Sequence, residues 1–407
     1  MPNNNLRPNR QEMLNILQQQ LRPINRYEVL PLTELAGRIA AEDIMAVHSL
    51  PNTNTAAMDG IAIRFADLQG TDPSTWQEGK EYIYANTGCE VPQQYDTVIK
   101  IENVSFDEKG HLCLHYHPQQ KGELLHHPGT QVVANELLVR SGEVITPSLI
   151  GIMASGGITQ AKVLARPQIT FIPTGDELVP IGQLPLALGK QIESNSIMCG
   201  AQVQEWGGEY RSLPIIADKA ELIRQAVLDA AASSDLVVIC AGSAKGTHDY
   251  TLAVLSEIGK MIVPELRHGP GKQFSLYMVN DVPVIGLPGP PHGADLISQL
   301  YVKPAVELLQ GQPLPQPYYI NAELTADLDK RDMDFVVRLR LFSQNGKMLA
   351  EPINTFVLTR AAAYQQMNSL YYLEKGTSHH QGEVIAIELM VKPEYITESN
   401  GDKNNGK

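Results

Sequence analysis

The chain has 407 residues, 43% of them apolar and 19% charged, with a formal net charge of −13. A chain of this length holds roughly two to four domains, and its composition is that of a globular protein able to bury large cores. The acidic balance excludes a general attraction to nucleic acid or to an anionic membrane, so an anionic ligand would need a locally basic pocket.

The four cysteines, Cys89, Cys113, Cys199 and Cys240, are widely spaced and form no C-x-x-C pair, which suits a reducing cytosol. No apolar N-terminal segment marks secretion, and no apolar run approaches the roughly 20 residues of a membrane span. A cytoplasmic protein without nucleic-acid or membrane partners is expected.

In chain order, Met13, Leu14, Ile16, Leu17 and Leu21 recur at helical spacing and predict a helix over 11–21. A second helix is expected from Leu32 to Asp43. Residues 48–133 change character, with short β-like runs at 61–64, 82–84, 97–101 and 112–116 between turn residues, so an inserted β domain is expected. Within it, His115 and His117 could share a strand face beside Cys113 and His111. No further flanking ligand accompanies them, and they read as solvated strand histidines. Residues 134–166 are mixed, with a helix near 148–155. They join 1–47 as an α-rich linker domain.

From 168 the pattern becomes α/β. Four apolar runs each end in a glycine turn: 169–172 before Pro173-Thr174-Gly175-Asp176-Glu177, 236–240 before Ala241-Gly242-Ser243-Ala244-Lys245, 261–263 before Arg267-His268-Gly269-Pro270-Gly271-Lys272, and 282–287 before Pro288-Gly289-Pro290-Pro291. Short apolar runs with helical spacers read as buried parallel strands. In an open α/β sheet the loops after the strands form the ligand crevice, and glycine turns present backbone N–H groups to anions. A small, phosphate-bearing ligand follows, with Lys245, Arg267, His268 and Lys272 as candidate basic groups. The turn after the second run is no P-loop, because G-x-x-x-x-G-K-[ST] is absent. Asp218 and Glu221 predict a capping box, before an apolar helix face of Ala220, Ile223, Ala226, Val227, Ala230 and Ala231. Residues 167–310 form this domain. Pro313, Pro315 and Pro317 read as a stiff linker into a β-barrel or sandwich over 311–395, whose runs are 335–341, 370–373 and 384–389. The polar end, 396–407, is expected to be disordered.

The segments Asn54-Thr55-Ala56-Ala57-Met58-Asp59-Gly60, Asn86-Thr87-Gly88 with Val91-Pro92, Thr174-Gly175-Asp176-Glu177-Leu178, Asp249-Tyr250-Thr251, Pro270-Gly271-Lys272 and Gly286-Leu287-Pro288-Gly289 occur in that order. On these residues the chain resembles the MoeA-type molybdenum insertases, a family related to the C-terminal part of gephyrin. The resemblance implies a multidomain α/β plus β fold: a three-layer molybdopterin-binding α/β domain with a mostly parallel sheet, an inserted β domain and a C-terminal β-barrel. It implies a homodimer, built through the N-terminal domain, whose site is shared between subunits. The implied reaction is transfer of molybdate to adenylylated molybdopterin with release of AMP, assisted by Mg²⁺. An upstream molybdopterin adenylyltransferase and downstream molybdoenzymes are the implied partners.

Carried onto this chain, the resemblance assigns catalysis to Asp59, Thr87, Glu177, Asp249 and Lys272. Asp176, Glu177 and Asp249 would hold Mg²⁺, because hard carboxylates suit it. Thr174, Gly175, Gly242, Ser243, Lys245, Gly271, Pro288 and Gly289 would bind the ligand. Four places depart from the family pattern: Ala241-Gly242-Ser243-Ala244 for Gly-Gly-Val-Ser, Gly269 for the first of two lysines around Pro-Gly, Pro290 for Asn in Pro-Gly-Asn-Pro, and a stretch ending at Gln131 for an arginine-rich run ending Gly-Glu-Asp. Each lost charge-assisted contact is worth roughly 1.5–3 kcal/mol, and His126, His127 and His268 are expected to restore some positive charge. A molybdopterin carrier, a tungstate-specific insertase and a gephyrin-like scaffold remain as alternatives.

Overall fold

The computed structural model describes residues 7–241, 250–354, 357–391 and 395–396. The chain forms two compact units, one of residues 26–165 and one of 1–25 with 166–407.

In the unit of residues 26–165, the inserted β segment carries its own cores. Strand Gly60–Ile63 pairs antiparallel with both Tyr82–Ala85 and Thr97–Lys100. Ile61, Ile63, Trp76, Tyr82, Ile99 and Leu112 fill one core, and Ala56, Ala62, Ala85, Val91, Tyr95 and Val98 fill another. A separate core gathers Leu35, Ile44, Val139, Ile145, Met153 and Val163. The helix expected over 32–43 does not form. Only the 3-10 turn Leu32–Glu34 is present, Gly37 adopts φ +74°, and Ile39 and Ala40 bridge to Val144 and Val163. Tertiary β pairing overrides the helical spacing there. The helix expected near 148–155 is present as Pro147–Ser155, capped by Thr146.

The N-terminal helix is present as Arg10–Gln20, with an Asn9/Glu12 capping box. It lies in the other unit, not with 134–166. Its buried residues Met13, Leu14 and Leu17 sit on the helix that meets Lys303–Leu309, Ile24 donates to the Leu309 carbonyl at 2.9 Å, and Arg10 pairs with Glu388 at 2.7 Å.

The central sheet of that unit has six strands: β1 (Gln168–Pro173), β2 (Glu209–Ser212), β3 (Leu236–Ala241), β4 (Lys260–Val263), β5 (Ser275–Val279) and β6 (Val282–Pro288). Their order is β2-β1-β3-β6-β5-β4. β1, β2, β3 and β6 run parallel, and β5 is antiparallel to both β6 and β4. All four apolar runs therefore point the same way, as expected, and β5 is an antiparallel insertion between two of them. The order reverses at β1 and β3, which is where such sheets form their crevice. The helix Ala220–Ala231 buries Ile223, Ala226, Val227, Ala230 and Ala231 as its spacing predicts. Its capping box is absent: Lys219 is the N-cap, with no side-chain bond.

The C-terminal strands close into a barrel. β7 (Tyr319–Leu324), β8 (Asp334–Gln344), β9 (Lys347–Pro352), β10 (Ser369–Leu373) and β11 (Val384–Leu389) follow the circuit β8-β9-β7-β11-β10, and β10 returns to β8. Leu324, Leu339, Leu341, Ala350 and Ile387 fill its interior. The two-residue strand His268–Gly269 adds parallel to β8 at Asp334 and Phe335.

Candidate active site

The ends of β1, β3 and β6 meet because their registers bring Pro173 opposite Cys240 and Ala241 opposite Pro288. Thr174 donates its N–H and its hydroxyl to the Cys240 carbonyl, at 3.1 and 3.0 Å. Asn195, which opens the helix Asn195–Glu205, donates to the Gly289 carbonyl at 2.9 Å. Thr174, Gly175, Pro288 and Gly289 are thus brought to one edge of the sheet.

Gly175 has φ +151°, and a Cβ there would stand 2.7 Å from Glu177 Oε2. Only glycine lets the Glu177 carboxylate lie against the turn in this way. The Glu177 carbonyl accepts from Gln191 at 2.9 Å, and the strand pair Leu178–Val179 with Gln191–Ile192 fixes the segment that follows. Asp176 and Asp218 accept each other's N–H groups, at 3.2 and 3.4 Å. Sequence reading gave Asp218 a capping role; its carboxylate instead reaches the first turn. Gly242, Ser243, Lys245 and Asp249 lie outside the described residues. Among the described residues no group of three His, Cys, Asp or Glu could hold a metal. The Mg²⁺ trio expected from Asp176, Glu177 and Asp249 includes one of those outside positions.

The basic groups named from sequence are largely engaged elsewhere. Lys272 Nζ lies 3.4 Å from Glu265, in a cavity of about 610 Å³ that Arg267, Asp334 and Lys375 also line. Arg267 pairs with the buried Asp334 at 2.7 Å. Gly271, with φ +98°, packs against Ile297. His268 is fully buried, hydrogen-bonded to Tyr301 at 2.6 Å, and burial, with Arg10 nearby, lowers its pKa from 6.5 to about 4. His268 is therefore neutral near pH 7 and does not restore the positive charge expected of it.

Positive charge gathers instead at a cavity of about 120 Å³ lined by His292, Arg338, Arg360, Ala363, Tyr364 and Met367. His292 follows the Pro288–Pro291 turn, Arg338 comes from β8, and Arg360 opens the helix Arg360–Gln366. Arg338 donates to the His292 carbonyl, while its Nε and His292 Nδ1 are buried without partners. Burial first, then Arg338 and Arg360, push the His292 pKa down. Burial also lowers that of Arg338. Sequence reading missed this cluster, because Arg338 sits inside an ordinary alternating strand run and only the tertiary fold brings it to His292.

In the other unit, the Asp59 carboxylate accepts from Thr87 N–H at 2.6 Å and from its hydroxyl at 2.9 Å. These two bonds, the backbone one first, hold Asp59 below the usual carboxylate range. The two residues expected to act together are 28 positions apart and form one exposed anionic pair.

An open α/β sheet with glycine turns at its carboxyl edge, joined to a closed five-stranded barrel, defines the class as a multidomain α/β plus β protein. Residues 9–157 match the MoeA N-terminal region (domain I and II), and 170–308 match a probable molybdopterin binding domain. The chain is 28% identical to a molybdopterin molybdenumtransferase of Haemophilus influenzae over 89% of its length and 93% of the relative's. A Bacillus subtilis protein of the same name is 26% identical, over 92% and 91%. A crystal structure of a MoeA protein from Pyrococcus horikoshii superposes with TM-score 0.78 at 25% identity, covering 94% of this chain and 99% of that one. The chain belongs to the MoeA family of molybdopterin biosynthesis proteins.

Proposed function

We propose that this protein is a molybdopterin molybdenumtransferase, which inserts molybdate into adenylylated molybdopterin and releases AMP. The observation that carries this reading is the family match along nearly the whole chain, joined to the convergence of the Thr174–Glu177 and Pro288–Gly289 turns on one edge of the sheet. In those turns the Thr174, Gly175 and Asp176 N–H groups already donate to Cys240, Ile216 and Asp218, so the Glu177 and Gly289 N–H groups are the ones offered to the ligand's phosphates.

The neighbouring carboxylates Asp176 and Glu177 suit Mg²⁺, which keeps several waters and leans on one or two carboxylates; Asp249 is the third candidate. Bound Mg²⁺ offsets charge developing on phosphate oxygens. Glu177, held against Gly175, positions water or the metal at the adenylate phosphate. Arg338 and Arg360 attract the molybdate dianion, since two guanidiniums around a small cavity favour a compact oxyanion; His292, whose pKa is pushed down there, lines the cavity without adding charge. Asp59 and Thr87 of the partner subunit complete the site.

The test is incubation of the purified protein with adenylylated molybdopterin, Mg²⁺ and molybdate. AMP release together with molybdenum bound to the product is expected. AMP release without insertion leaves a hydrolase, and binding without either leaves a carrier. Arg360→Ala, at an exposed position, is expected to raise the molybdate concentration for half-maximal insertion about tenfold or more. Unchanged molybdate dependence removes the oxyanion assignment.

A further inference from the structure

Asn195 sits where β1, β3 and β6 end, and hydrogen bonds account for its side-chain nitrogen but not its side-chain oxygen. Its amide nitrogen donates to the Gly289 carbonyl at 2.9 Å and to the Cys240 sulfur at 3.1 Å. A carbonyl can only accept, so the amide cannot be turned over. The Cys240 thiol reaches the Pro288 carbonyl at 3.5 Å, and burial pushes its pKa up to about 12, so it keeps its proton. Donors are thus matched, and Asn195 Oδ1 is left buried with no partner, on a side chain only 7% exposed. An unmatched buried acceptor is destabilising, and a ligand N–H would relieve it.

The chemistry around it selects the kind of donor. The Glu193 carboxylate accepts from the Ser196 N–H at 2.9 Å and from its hydroxyl. The start of this helix already carries an anion, which disfavours a phosphate there. A neutral N–H donor fits.

We propose that Asn195 Oδ1 is a recognition acceptor for an N–H on the heteroaromatic edge of the ligand. The proposal rests on the insertase reading. Adenylylated molybdopterin offers two such edges, the pterin amide and the adenine amine, with the same hydrogen-bonding chemistry.

Binding of four probes to the full-length protein separates them. AMP is compared with purine riboside 5′-monophosphate, which lacks the amine, and pterin with 3-methylpterin, which lacks the ring N–H. Wild type is expected to prefer the N–H-bearing member of one pair about tenfold, and that pair identifies the edge. Asn195→Leu should abolish the preference, and Cys240→Ala, which loosens the inner tie but keeps Oδ1, should retain it. If Asn195→Leu fails to fold, Asn195→Ser makes the same comparison. Equal weakening of all four probes by the Asn195 variant means a structural tie only and overturns the proposal, as does a wild type indifferent within both pairs. Turnover of the full substrate without any preference sinks the proposal and leaves the insertase reading intact. A preference lost in the variant, in a protein that never inserts molybdenum, has the reverse meaning.

Discussion

At the scale of single residues, burial decides which charges are available. His268 looked like a basic group in a ligand turn, but it is enclosed with Tyr301 and stays neutral. Its pKa falls from 6.5 to about 4, so between those values the unfolded chain binds the proton and the folded protein does not. Stability is therefore complete above pH 6.5 and is lost as pH falls towards 4, by about 3 kcal/mol in all. His268→Gln keeps a hydrogen-bonding group opposite Tyr301. It should flatten this part of the stability profile, measured as urea midpoints at pH 7 and pH 4.5. An unchanged slope would assign the acid sensitivity to other groups. Asp59 shifts for the opposite reason: it is exposed, and two donors from Thr87 favour its charged form. It stays ionised at a lower pH than an ordinary aspartate, so the pair presents a fixed negative charge.

At the scale of elements, two glycines show how close approach builds the site and its scaffold. Gly175→Ala would place a Cβ 2.7 Å from the Glu177 carboxylate and strain a positive-φ position. The carboxylate can swing away, so the expected stability loss is about 1–3 kcal/mol. Turnover should fall further than that loss explains, because Glu177 moves. Gly60→Ala would put a Cβ 1.9 Å from the Ile99 carbonyl, which is backbone in a paired strand. Thermal melts should show a larger loss for Gly60→Ala than for Gly175→Ala; the reverse order would contradict this account. The motifs around both glycines were readable because each position excludes a side chain, Gly175 at a positive-φ turn and Gly60 where a paired strand approaches closely. The 32–43 segment was misread because its apolar spacing fits a helix, while Gly37 and bridges to residues distant in sequence make it extended. Asp218 was misread for a related reason: a capping signal is local, but its carboxylate meets Asp176 across the fold.

At the scale of the whole molecule, the insertase reading requires Asp59 and Glu177 to act from different subunits. Mixing Asp59→Asn and Glu177→Gln proteins, each inactive alone, should then restore activity. Random re-pairing makes about half of the dimers mixed, each with one intact site, so about a quarter of wild-type turnover is expected. No recovery after verified subunit exchange would place both residues in the same subunit's site or outside it. The N-terminal helix belongs to the same scale. Its period was plain in the sequence, but its partner was not: the apolar residues Met13, Leu14 and Leu17 and the Arg10–Glu388 pair bind it to the 166–407 unit.

The sequence by itself determined the parallel runs, their glycine turns, the alternating C-terminal strands and the family, because strand burial and turn geometry impose local residue patterns. Only tertiary structure decided which charges face a cavity. Lys272 and Arg267 line one cavity but are paired there with Glu265 and Asp334, whereas Arg338 and Arg360 line another with His292. Charge pairing and desolvation depend on neighbours far along the chain, and no local pattern records them.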